Sequence, residues 1–170
     1  AGRLDLRDLK WIDIPESDID KFTVRRGDLL FNRTNSRELV GKTAVWDRED
    51  QFAFAGYLIR VRFDESKAIP KYVSAYLNSS YGKSVLFARC KPSINMSNIS
   101  ATDLLRFEIP LPPLPEQKRI ADILDKADAI RRKRQVAVRD THDLRRSRFR
   151  EMFGDVAVND RNWDEVAVSE

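Results

Sequence analysis

The run Ile109-Pro110-Leu111-Pro112-Pro113-Leu114-Pro115-Glu116-Gln117-Lys118-Arg119-Ile120-Ala121-Asp122-Ile123-Leu124 decides the architecture of this 170-residue chain. Proline lacks a backbone donor and fixes its own φ, so Pro110, Pro112, Pro113 and Pro115 forbid regular strand pairing and make a stiff, extended entry. Pro115 then suits the first helical position, and Glu116 lies near the positive end of the helix dipole. No proline or glycine recurs before Gly154, which suits a C-terminal cap. The spacing predicts one helix over 115–153, about 58 Å long at roughly 1.5 Å per residue. Ile120, Ile123, Leu124, Ala127, Ile130, Ala137 and Leu144 give it an apolar seam. Arg134, Thr141 and Arg148 interrupt the seam in the second half. Helix stability in water comes mostly from packing an apolar face, so such a helix calls for a partner helix.

Upstream, residues 20–63 read as β-structure. Arg26-Gly27-Asp28 signals a turn before the apolar run Leu29-Leu30-Phe31, and Gly41 to Trp46 forms a second short strand. Phe52 to Phe63 reads as a longer strand, ending in Leu58, Arg60 and Arg62 alternating with Ile59, Val61 and Phe63. Residues 70–90 read as helical: Pro70 opens a helix marked by Tyr72, Val73, Tyr76 and Leu77, and a second helix follows Tyr81-Gly82. Residues 91–100 make a polar loop, and Phe107 to Leu111 a closing strand. After Gly154, Asn159-Asp160 marks a turn and Trp163 to Val168 begins a strand of a following unit.

Charge is uneven. The chain has 31 basic and 27 acidic side chains, net +4, and an isoelectric point near 9.3. Residues 115–153 carry 12 basic and 7 acidic groups, whereas 154–170 carry 1 and 5. A basic excess of this size favours a polyanion only weakly, and a solvated charged helix explains it equally well. No apolar run approaches the roughly 20 residues of a membrane span, and no signal-peptide pattern opens the chain. Cys90 is the one cysteine, so no internal disulfide forms; in its apolar helical setting it reads as a packing residue. A cytoplasmic protein without membrane contact is expected.

Catalytic candidates are few. His142 is the only histidine and lies on the long helix, so with one cysteine a zinc site of nitrogen and sulfur ligands is excluded. No glycine-rich phosphate loop or dinucleotide fingerprint occurs. Asp47, Asp50 and Asp64 before Glu65-Ser66-Lys67 resemble the carboxylates and lysine of Mg²⁺-dependent nucleases, but they fall at a strand exit rather than on a buried strand. Neither catalytic nor metal residues are assigned, and no cofactor is expected. Groups suited to DNA are better represented. Arg33, Thr34, Asn35, Ser36 and Arg37, followed by Lys42, lie between two strands, and Lys91, Ser93 and Asn95 with Ser97 and Asn98 make a similar polar loop. Arginine pairs with guanine edges, asparagine with adenine, and hydroxyls and lysine with phosphates. Ordinary polar turns with local capping account for the same composition.

The proline entry and helix start strongly resemble the junction in specificity subunits of type I restriction–modification enzymes, between a target recognition domain and a long conserved helix. Gly27-Asp28-Leu29-Leu30-Phe31 with Gly41-Lys42, Asn98-Ile99-Ser100 with Leu104, and Phe149, Met152, Phe153-Gly154 and Trp163 resemble further parts of that family. The resemblance implies an α+β fold: a mixed β/α recognition domain over 1–109, then the proline entry and spacer helix over 110–153. Residues 154–170 then start a following repeat or tail. It implies double-stranded DNA as ligand, half of a split target read by each domain, and long helices pairing as an antiparallel coiled coil. It also implies methyltransferase and motor–nuclease subunits that carry the catalysis. Ile120, Ile123, Leu124, Ala127, Ile130 and Ala137 would line the helix pairing, in a homodimer if no second domain is present. Only about 26 residues precede Gly27, so the chain reads as a fragment or truncated member. A small nuclease using Glu65 and Lys67, and a coiled-coil adaptor without DNA affinity, are the competing readings.

Overall fold

The protein was analysed as a computed structural model. The structure describes residues 2–36, 39–88, 97–155 and 157–164. It contains two compact units, Ala1–Leu124 and Asp125–Glu170. The first is the mixed α/β body and includes the opening turns of the long helix.

A 3-10 turn, Glu16–Asp18, leads into the short helix α1 (Ile19–Phe22). Strand β1 (Leu29–Asn32) is central in an antiparallel sheet ordered β3-β1-β4, with β3 over Thr43–Val45 and β4 over Leu58–Val61. The register pairs Leu30 with Ala44 on one side and with Arg60 on the other. Helices α2 (Pro70–Asn78) and α3 (Ser80–Ala88) follow. A second sheet has two short strands, β2 (Thr34–Asn35) and β5 (Ser97–Asn98), before α4 (Ala101–Leu105).

The run Leu29-Leu30-Phe31 is apolar throughout because β1 is covered on both faces. Leu29 and Phe31 join Val40, Tyr72, Val73, Leu77, Leu86 and Ile99 in the main core. Leu30 points the other way, into a smaller cluster with Val24 and Trp46. Gly27, at φ +91°, supplies the positive φ needed in the turn that closes Asp28 N–H on Arg25 O at 2.9 Å. That turn buries Asp28, whose carboxylate accepts the Arg25 N–H at 2.8 Å and the Arg62 Nε–H at 3.0 Å. Arg60 lies 3.9 Å from the same carboxylate, stacks over Phe54, and donates to the carbonyls of Asp20 and Thr23. Burial, then the neighbouring Arg62, lowers the Arg60 pKa from its ordinary value.

Outer strand β3 is closed by a side chain. Thr43 N–H donates to Asn78 Oδ1 at 3.1 Å, and Asn78 Nδ2 donates to Thr43 O at 2.9 Å. The Ser74 and Thr43 hydroxyls meet at 3.0 Å beneath this pair.

One expected strand is shortened, and one is not formed among the described residues. Within Phe52–Phe63 only Leu58–Val61 is ladder. Phe52 and Phe54 alternate because they pack into the Trp46 cluster, Phe52 with its ring centroid 5.1 Å from that of Trp46. Among the described residues Phe107–Leu111 forms no strand: Phe107 and Ile109 pack on the main core, and the prolines beyond lack donors. Helix α4 was not anticipated, although Ser100 caps it by accepting the Asp103 N–H at 3.0 Å. The second helix starts at Ser80 rather than after Gly82, so Gly82 is helical, and an added Cβ there would meet Tyr76 O at 2.1 Å. Cys90 lies outside the described residues.

The long helix α5 runs over Leu114–Phe153. Its first turns belong to the compact body: Gln117 and Ala121 are buried, and Ile120 is partly packed on the main core. In the second unit α5 closes at Gly154, whose φ is +74° and whose N–H returns to Arg150 O at 2.8 Å. Asn159-Asp160 makes a turn there, as expected; Trp163 and Asp164 are not in a strand, and the remainder of that expectation lies outside the described residues. No described helix is long and apolar enough to cross a membrane.

Candidate nucleic-acid interface

The two polar stretches meet. Beyond β1 the chain turns at Arg33, whose N–H donates to Tyr57 O at 3.0 Å and whose carbonyl accepts the Ile99 N–H at 2.9 Å. Thr34 and Asn35 then pair antiparallel with Asn98 and Ser97. The Thr34 hydroxyl donates to Asn98 Oδ1 at 3.1 Å, and Asn35 Oδ1 accepts the Ser36 N–H at 2.8 Å. The polar ribbon rests on rigid ground, since Val40 and Ile99 at its base are 0% and 3% exposed. Lys42 stands exposed beside it, its carbonyl accepting the Asn32 N–H at 2.9 Å. Arg37, Lys91, Ser93 and Asn95 lie outside the described residues.

Among the described residues, Asn32 Oδ1 and Arg33 Nε at the end of β1 are buried without a hydrogen-bond partner. Buried unpaired polar atoms are uncommon and cost free energy, so functional sites are where they persist. Tyr57 is 55% exposed and is joined to Arg33 through the backbone. Sequence reading missed it because Tyr57 falls inside the run taken as continuous strand.

The spacer helix offers a different surface. Ile123, Leu124 and Ile130 are 50%, 47% and 68% exposed, and Ala127 and Ala137 are exposed as well. Ile120 differs, being partly covered by the main core. Carboxylates on α5 are tied to arginines: Glu116 with Arg119 at 2.7 Å, Asp128 with Arg131 at 2.7 Å and with Arg132. These hydrogen bonds hold both carboxyls below their ordinary pKa. The nuclease candidates do not converge. Lys67 pairs with Asp64 at 3.2 Å in an exposed exit turn closed by Ser66 on Asp64, and among the described residues no group of three His, Cys, Asp or Glu is placed to hold a metal.

This frame coincides with a known sequence family. Residues 2–138 match the type I restriction modification DNA specificity domain. The chain belongs to that family. It is 36% identical over 129 residues to a protein of Methanocaldococcus jannaschii named as type I restriction enzyme MjaX specificity subunit, covering 75% of this chain and 30% of that protein. It is 26% identical over 160 residues to the EcoKI specificity subunit of Escherichia coli, covering 90% of this chain and 34% of the relative. The StySPI specificity subunit of Salmonella potsdam is 24% identical over 148 residues, covering 84% and 32%. This specificity domain thus spans about a third of the length of the curated relatives it matches. The family match covers the sheets and the first part of α5 together, so the polar ribbon and the helix start are parts of one familial unit.

Proposed function

We propose that this chain is a DNA-reading unit of a type I restriction–modification complex and does no chemistry itself. The observation that carries the reading is the β2–β5 ribbon, which gathers Arg33, Thr34, Asn35, Ser97 and Asn98 at one polar edge above a rigid core. No carboxylate occurs from Asn32 to Arg37, and Lys42 adds a cation. Arg33 and Asn35 supply the fork and amide that read base edges, Thr34, Ser36 and Lys42 hold phosphates, and Tyr57 offers apolar contact. The reading also assigns DNA contacts to Arg37, Lys91, Ser93 and Asn95, which lie outside the described residues.

In this reading 1–109 is the recognition domain, 110–153 the entry and spacer helix, and 154–170 the start of a following repeat or tail. One recognition domain reads half of a split target. The exposed residues Ile123, Leu124, Ala127, Ile130 and Ala137, with the uncovered part of Ile120, pair antiparallel with a second helix, in another repeat or a second copy. Methyltransferase subunits dock on that scaffold, and the motor–nuclease subunit joins through the complex. S-adenosylmethionine, ATP and Mg²⁺ belong to those partners, and the complex works in the cytoplasm.

The deciding experiment measures duplex DNA binding by fluorescence anisotropy across a salt series. Each neutralised phosphate adds about 0.9 to the slope of log affinity against log salt. Arg33→Ala is expected to lower specific affinity about 10-fold or more, equivalent to roughly 1–3 kcal/mol for a lost bidentate base contact, while non-specific binding persists. Equal loss on specific and random duplexes would reassign Arg33 to the phosphates, and no binding by the wild type would defeat the reading.

A further inference from the structure

The first turn of α5 is seated in the recognition body by a socket shaped for one primary amide. Gln117 is 1% exposed. Its Oε1 accepts the Ile69 N–H at 2.9 Å, and its Nε2 donates to Lys67 O at 2.9 Å and to Pro112 O at 2.8 Å. The socket therefore presents one donor and two carbonyls. Glutamine supplies the complementary acceptor and two N–H protons, whereas glutamate lacks the donors and a hydrocarbon lacks both. A second fastening lies close by, where Tyr72 Oη donates to Pro110 O at 2.8 Å. Ala121, one turn further along, is buried in the main core.

Such a socket does more than stabilise. Hydrogen bonds are directional, and three of them on one amide fix both the position and the rotation of the helix start. Apolar packing at Ala121 and Ile120 alone tolerates sliding and rolling. Lys67 and Ile69 belong to the segment between β4 and α2, and β4 is bonded directly to β1, which leads into the ribbon at Arg33. The chain of rigid contacts thus runs from the reading edge through β1 and β4 to Gln117.

We infer that Gln117 is a positioning residue that sets the direction of the first turns of α5 relative to the β2–β5 reading edge, and thereby the spacing between half-sites that the complex accepts. The inference rests on the proposed function, because spacing has meaning only when two reading units are held apart by paired helices. In that arrangement the helix seam is the fixed reference, and the socket determines where the reading edge falls against the groove. A unit free to pivot at this joint would reach targets one base pair too long or too short.

Two measurements test it. In the isolated chain, spin labels at Tyr57→Cys and Lys118→Cys, with Cys90→Ser, report the distance between reading edge and helix start by pulsed electron paramagnetic resonance. Gln117→Leu is expected to broaden that distribution with the far-ultraviolet circular dichroism unchanged, and Tyr72→Phe to broaden it less. The complete subunit containing this chain, assembled with its methyltransferase, is then assayed for methyl transfer to duplexes with the native spacer and with one base pair added or removed. Wild type is expected to prefer the native spacer, and Gln117→Leu to cut that preference at least tenfold. An unchanged distance distribution, or equal loss of transfer on all spacers, overturns the inference while leaving DNA reading intact. If Gln117→Leu does not fold, Tyr72→Phe decides, and a native spacing preference in that variant counts against the joint. Wild type indifferent to spacing removes the proposed function and the inference together.

Discussion

The α/β body and the distal part of α5 solve opposite problems. In the body, three buried polar side chains are paired: Asp28 with Arg62, Thr43 with Asn78, Gln117 with two carbonyls and an amide N–H. Along the distal helix, apolar side chains stay outside: Ile130, Val138 and Leu144 are 68%, 51% and 61% exposed. A buried polar group without its partner costs more than the pair contributes, so the body tolerates little change at those positions. An exposed isoleucine contributes almost nothing to its own chain. What the difference teaches is that the body carries the reasons for its own fold, while the distal helix leaves its apolar side chains uncovered within this chain, as the proposed helix pairing requires.

The largest expected effect breaks the body's side of the comparison. Asp28→Ala leaves Arg60 and Arg62 beside a vacated carboxylate position with the Arg25 N–H unanswered, and leaving buried partners unsatisfied costs roughly 1–3 kcal/mol. Urea unfolding followed through the buried Trp46 is the measurement, and a loss below about 1 kcal/mol would show the cluster to be loosely solvated. Next comes the helix. Ile123→Asp with Ile130→Asp is expected to change the chain's own stability by no more than about 0.5 kcal/mol, the range for exposed positions, while abolishing self-association in sedimentation. Unchanged sedimentation of a wild type that does self-associate would mean that the seam is not the assembly interface.

The smallest effect is one of pH. Asp128 and Glu116 have folded pKa values below their ordinary ones because of the arginine hydrogen bonds. Their contribution is therefore fully present above the ordinary carboxylate value near about 4 and is lost as pH falls through the lower folded values. Helicity of α5, read by circular dichroism, should decline modestly below about pH 4 and less so at high salt, since these pairs are solvent-exposed. A helix that strengthens on acidification would contradict the assignment.

Much of this was legible in the residues. Pro115 and Gly154 bracket the long helix because one lacks a donor and the other accepts φ of +74°. Leu29-Leu30-Phe31 read as a strand because a run that short and apolar is buried on both faces. The polar stretches at 33–36 and 97–98 were recognised by composition, but their pairing was not, since a two-residue ladder leaves no periodic trace. Phe52 and Phe54 alternate as a strand does because Ala53 between them bridges antiparallel to Thr23 while both rings pack on the Trp46 cluster, yet this segment does not join the β4 ladder. Ser100-Ala101-Thr102-Asp103 did carry a capping signal for α4, which the surrounding polar loop obscured. Gln117 was silent in sequence: its importance comes from three backbone groups brought together from residues 67, 69 and 112.

The amide of Asn78 has a consequence for the chain's neighbours. An outer strand with free backbone groups is a template onto which another molecule can add its own strand. At Thr43 both outward-facing groups are already occupied by that one side chain, which acts as a single-residue surrogate strand. Growth of the sheet through this edge is closed at Thr43, so a second copy of the chain cannot add its own strand there.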